Sequence, residues 1–144
     1  MKKHILVAAL VAVMASQVGN IAVAQTAAPP SSDVAAPDVR EFEGVRYVTG
    51  GVGEGERTAI LAIARDFNLK LTFAEKSGDY LSGVKTVITG GNGRKVLELD
   101  SEGPLVLAKL PPGKYRVSAT ANGREQTRDA NVAGTGQQSL NFYW

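Results

Sequence analysis

The 144-residue sequence contains no cysteine and one histidine, His4. Without cysteine, no disulfide forms and no lipid-modified cysteine can anchor the chain. Beyond His4 the sequence lacks the side chains for a Ser-His-Asp or Cys-His site, or for the usual zinc sites. Charge of one sign is also missing. Lys and Arg total 16 against 14 Asp and Glu, and two of the cations, Lys2 and Lys3, stand at the extreme N-terminus. The other 28 balance, and no basic cluster points to nucleic acid or an anionic membrane. The only long apolar run, residues 5–15, is broken soon after by Ser16, Gln17, Gly19 and Asn20. It is shorter than the ~20 residues that a helical span requires.

That run has a different character. A positive start at Lys2 and Lys3, an apolar stretch and the small-x-small triplet Ala22-Val23-Ala24 have the form of a secretory signal peptide over residues 1–24. The expectation is a periplasmic or secreted bacterial protein cut before Gln25. Residues 25–44 are rich in Ala, Pro and Ser and are expected to form a disordered linker. About 100 residues remain, enough for one packed domain.

Residues 45–67 are expected to form a short strand, a glycine-rich loop and one amphipathic helix. The helix is predicted over residues 54–67, with Ile60, Ile63, Ala64 and Phe67 on one stripe and Arg57, Arg65 and Asp66 toward water. Asn68 is expected to stop it. From Leu69 the period changes to two. Leu69, Leu71 and Phe73 alternate with Lys70 and Thr72, and further strands are predicted within 81–89, 94–100, 105–110, 113–121, 125–132 and 137–144. Leu105, Leu107 and Leu110 are assigned to the core. In the return strand Tyr115, Val117, Ala119 and Ala121 point inward. Asn122-Gly123 suits a type I′ hairpin turn. The polar stretch 125–132 reads as an edge strand, and Leu140, Phe142 and Trp144 share the buried side of the last one.

The pattern Asp100-x-x-Gly103-x-Leu105-x-Leu107-x-x-Leu110-Pro111-Pro112-Gly113-x-Tyr115-x-Val117 resembles the carboxypeptidase regulatory-like domain. The resemblance covers residues 69–144. It implies a mainly β fold, a prealbumin-like (transthyretin-like) β-sandwich of about seven strands, here preceded by one short amphipathic helix. It also implies an accessory module, a role that leaves the ligand open.

Candidate sites are few. The glycine-rich segment 50–56 precedes a helix, but its spacing fits neither a P-loop nor a dinucleotide fingerprint. Glu54 and Glu56 stand where a phosphate would bind and instead complement the helix dipole. The acidic residues are scattered and suggest no paired-carboxylate catalysis. An intramolecular isopeptide between Lys70 and Asn141 is disfavoured, because alternation places both on exposed faces. The terminal aromatic residues suit core packing better than a membrane barrel, whose strands would be longer. The sequence therefore reads as a non-enzymatic binding module with no cofactor and no metal. Its expected partner is a protein or other envelope component, or, alternatively, a polysaccharide held by exposed aromatic residues. Candidate contact residues are Gly51, Gly53, Glu54, Tyr80 and Tyr143.

Overall fold

The computed structural model describes residues 35–144, within one compact unit spanning Ser32–Trp144. The expected signal peptide and the linker through residue 34 lie outside the described residues. In chain order the elements are β1 (Arg40–Phe42), β2 (Val45–Gly50), α1 (Glu54–Ile63) with a 3-10 turn (Ala64–Asp66), β3 (Leu69–Ala74), β4 (Lys85–Gly90) and β5 (Lys95–Asp100). There follow β6 (Leu105–Lys109), β7 (Gly113–Ala121), β8 (Arg124–Val132) and β9 (Gln138–Tyr143).

The strands form two sheets, a five-stranded one ordered β1-β2-β6-β3-β9 and a four-stranded one ordered β5-β4-β7-β8. All pairs are antiparallel except β3 with β9. The architecture is a mainly β sandwich with one short helix. Strands β3 to β9 supply the seven strands expected after residue 68, while β1 and β2 extend the first sheet through the pairing of β2 with β6.

Period-two patterning accounts for the sandwich core. Leu69, Leu71 and Phe73 from β3, Ile88 from β4, Leu97 from β5, Val117 and Ala119 from β7 and Phe142 from β9 are buried together. Phe73, Phe142 and Trp144 form an aromatic cluster, with ring centroids 5.7–6.1 Å apart. The Trp144 indole N–H donates to the Arg124 carbonyl at 3.0 Å, fastening the chain end across to β8. The Pro-Pro-Gly corner is held from within, as the Tyr115 hydroxyl donates to the Pro111 carbonyl at 2.5 Å.

Three expectations need correction. The linker does not extend to residue 44, because Arg40–Phe42 pairs with β2 across a Glu43-Gly44 turn in which both residues have positive φ. Arg40 secures this hairpin by donating to Asp38 at 2.8 Å and to Glu102 at 2.6 Å. The helix shortens to Glu54–Ile63 and tightens into a 3-10 turn before Asn68. Asn68 does more than end it. Its buried amide accepts from the Leu110 N–H at 2.8 Å and donates to the Leu110 carbonyl at 2.6 Å.

The third correction concerns β6. Leu105 and Leu107 are buried, but not in the sandwich. Val106, Ala108 and Leu110 face the sandwich core, whereas Leu105 and Leu107 point outward and meet Val48, Ile60 and Phe67 beneath α1. A strand covered on both sides reads as a continuous apolar run, and Leu-Val-Leu-Ala is such a run. The helix therefore docks on the outer face of the five-stranded sheet.

That docking requires close backbone approach. Gly103 lies against Gly50, so that a Cβ on Gly103 would collide with the Gly50 carbonyl. The glycine that closes the Asp100–Gly103 turn is thus also the seat for the glycine-rich segment leading to α1.

Candidate functional site

Helix α1 covers only part of the outer face of the five-stranded sheet. At the end where β3 finishes, Ala74 pairs with Tyr143 of β9 on one side and bridges to Tyr80 on the other. Directly paired residues share a face, so Tyr80, Ala74 and Tyr143 form one row. The row points outward, because Phe73 and Phe142, each one residue earlier, point into the core. Tyr80 is 55 % exposed and Tyr143 49 %, while Ala74 between them is only 5 % exposed. The two tyrosines stand two strand spacings apart, roughly 10 Å.

The glycine-rich loop joins this row through Arg57. The Arg57 guanidinium lies 4.4 Å from the centre of the Tyr80 ring, and its Nη2 donates to the Gly51 carbonyl at 3.2 Å. Its Nε is buried and, among the described residues, has no hydrogen-bond partner. Arg57 precedes the buried Ile60 by three residues, so helical spacing turns it toward the sheet rather than toward water. The sequence reading placed it on the wet side because it weighed charge above position. A long side chain next to a buried stripe can lay its stem on the sheet and present its head at the edge.

The predicted contact residues therefore separate. Tyr80 and Tyr143 share the exposed row across Ala74, whereas Gly51 is buried and cannot make a contact itself; its carbonyl instead anchors Arg57 beside Tyr80. Gly53 and Glu54 belong to the helix start. The Gly53 carbonyl accepts the Arg57 N–H at 2.9 Å, and the Glu54 carbonyl accepts the Thr58 hydroxyl at 2.9 Å. Glu56 folds back so that its carboxylate accepts the Val52 N–H at 3.2 Å, occupying the position an anion would take. Exposed Val52 flanks the loop.

Other surfaces offer less. A hollow of about 580 Å³ beside the Gly90–Gly93 turn is lined by Lys114, Tyr115, Arg116 and Asp129. Arg116 is paired there with Asp129 at 3.3 Å, and the Tyr115 hydroxyl is engaged with Pro111. Burial pushes the Tyr115 hydroxyl above the usual tyrosine pKa. The outer face of the four-stranded sheet carries compensated charges. Glu98 is flanked by Lys95 and Lys85, and the Lys95 ammonium holds its carboxyl below the usual range. Lys70 pairs with Ser139 and Asn141 with Thr72, so the two residues weighed for an isopeptide do not face each other. Among the described residues no group of three or more His, Asp or Glu is arranged to hold a metal, and no helix is long and apolar enough to cross a membrane.

No family model and no curated protein matches the sequence. Among solved structures, the Bacillus anthracis TIE protein is similar over 53 % of this chain and 16 % of its own, at 20 % identity and a TM-score of 0.43. Klebsiella pneumoniae 5-hydroxyisourate hydrolase is similar over 54 % of this chain and 89 % of its own, at 17 % identity and a TM-score of 0.44. The major pilin subunit of Bacillus cereus is similar over 53 % of this chain and 28 % of its own, at 16 % identity and a TM-score of 0.38. These likenesses are partial and distant, and the fold assignment stands on the strand topology itself.

Proposed function

We propose that this protein is a non-catalytic binding module acting outside the cytoplasm, and that its contact surface is formed by Tyr80 and Tyr143 around buried Ala74, with Arg57 beside Tyr80. Its partner is a protein or another component of the cell envelope. The observation that supports this reading is the placement of two half-exposed tyrosines, distant in sequence, on one face around a small buried residue. Tyrosine offers large, stiff contact area and a polar tip, the combination favoured at binding surfaces. Arg57 fixes the Tyr80 ring in advance, which lowers the ordering cost of a contact.

A second reading is that the ligand is a polysaccharide. The spacing of the two rings favours it, since both can present an aromatic face to successive sugar rings along one chain. Photo-cross-linking from exposed position 52 in intact cells, together with pull-down on envelope polysaccharides, tests both. One captured protein that is lost in Tyr143→Ala supports the first reading. Retention on a polysaccharide that is lost in the same variant supports the second. Capture that is indifferent to Tyr80→Ala and Tyr143→Ala together would place the contact elsewhere.

A further inference from the structure

The two sheets end in four edge strands, and three of them carry charges along their length. These are Arg40 and Glu41 on β1, Lys95, Glu98 and Asp100 on β5, and Arg124, Glu125, Arg128 and Asp129 on β8. Charged side chains are a standard protection of an exposed sheet edge. The fourth edge, β9, reads Gln-Ser-Leu-Asn-Phe-Tyr and has neither a charge nor a proline.

Among the described residues, the outer edge of β9 pairs with no other strand. Gln138 donates to Asn68 and Trp144 to Ala74, so the even-numbered residues bond to β3. In a parallel ladder the alternate residues point their N–H and C=O groups the other way. Those of Ser139 and Asn141 therefore face the open side. The carbonyl of Tyr143, at the far end, already accepts from the Gln126 side chain, which limits the free length to the first part of the strand.

We infer that β9 is the docking edge for a second copy of this chain, pairing antiparallel with its own β9 across a two-fold axis. A two-fold axis normal to the sheet sets outward side chains opposite outward ones. Centred on Leu140, it places Ser139 opposite Asn141 of the second copy, twice, and gives four reciprocal backbone hydrogen bonds. No charge opposes another. The same operation on β8 fails in each central register. Centred on Thr127 it sets Glu125 against Asp129, centred on Gln126 it sets Arg124 against Arg128, and centred on Arg128 it sets that residue against itself. Like charges directly opposite each other destabilise a strand pair. That β9 accepts its own copy in register where the longer neighbouring edge rejects it is the ground for naming a second copy as the occupant. The pairing would join the two five-stranded sheets into one of ten strands, with both Tyr80–Ala74–Tyr143 rows on the same side. If the proposed function holds, that arrangement gives the module two linked contacts and the gain of avidity that follows. The pairing itself does not depend on it.

Sedimentation velocity and light scattering on the purified protein test the inference. The expected mass is twice that of one chain. Ser139→Lys/Asn141→Lys opposes lysines across the axis and is expected to halve the mass, with an unchanged circular dichroism spectrum. Ser139→Lys/Asn141→Glu opposes lysine to glutamate and is expected to restore the doubled mass. A single-chain mass for the unsubstituted protein at every concentration overturns the pairing, as does a double-lysine variant that stays dimeric. A lysine–glutamate variant that stays monomeric overturns the Leu140-centred register. Tyr80→Ala is expected to leave the mass unchanged while weakening ligand capture, so failure of the dimer and failure of the binding reading are told apart.

Discussion

The two sheets solve the same problem differently. The four-stranded sheet buries one face in the sandwich and gives the other to water, where Ser118, Thr127 and Glu125 share hydrogen bonds. The five-stranded sheet buries both faces along β2 and β6, with the sandwich on one side and α1 on the other, while its outer face is half-buried at Lys70 and Thr72 of β3 and bare at β9. The first pattern is a structural wall. The second leaves a step between the helix and an uncovered edge, and the aromatic row lies on that step. The difference teaches that an added helix here stabilises the sheet and also frames a contact surface.

Substitutions that separate the two sheets, and the two faces of one sheet, sharpen this comparison. The largest effect is expected at Phe142, fully buried among Phe73 and Trp144. Phe142→Ala should cost about 3–5 kcal/mol in urea unfolding. Its neighbour Tyr143→Ala, facing out on the same strand, should stay within about 0.5 kcal/mol. Similar costs for both would contradict the assigned faces of β9.

Asn68→Ala comes next. It leaves both backbone groups of buried Leu110 without partners, at about 2–4 kcal/mol. A loss below about 1 kcal/mol would mean that water or a shifted strand replaces the amide. Ile60→Ala probes the helix-covered face and should cost about 2–3 kcal/mol, toward the low end for a buried Ile because a single helix can settle into the gap. One cooperative transition with a lowered midpoint is expected. A separate early transition would show that α1 is a detachable layer rather than part of the fold.

A smaller effect is tied to pH. The folded-state pKa of Tyr115 is raised by burial. Its contribution is therefore fully present below the unfolded value near ~10 and is lost as pH rises beyond it. Tyr115→Phe should cost about 1 kcal/mol at neutral pH, by leaving the Pro111 carbonyl unpaired, and should flatten the alkaline decline. Unchanged alkaline behaviour would assign that decline to other groups. The smallest effect is expected on the open face of the four-stranded sheet, where Ser118→Ala should remain within about 0.5 kcal/mol.

Much of the sandwich was legible because alternation reports directly on one-sided burial. Val117, Ala119 and Phe142 lie where the period of two places them, and Asn122-Gly123 turns with both residues at positive φ. Tyr80 and Tyr143 stood out as aromatic residues off the buried pattern, and both are exposed. Less was legible wherever two layers compete for one strand. In β6 the run Leu-Val-Leu-Ala shows burial but not which residue meets which layer. Strand β1, with three residues, is too short to display a period at all. Arg57 was misplaced because its partners, the Gly51 carbonyl and the Tyr80 ring, are brought to it only by the fold.

The sequence alone determined which side-chain types are missing, which side of most strands is apolar and where the hairpins turn. These are local properties, carried by side-chain type and by spacing within a few residues. The tertiary structure decided that Tyr80, Ala74 and Tyr143 share a row, that Gly103 seats Gly50, and that β9 ends a sheet among the described residues. Each depends on the register between segments far apart in the chain. Register is set by the sum of many weak contacts across the whole sandwich, and no single stretch of residues encodes it.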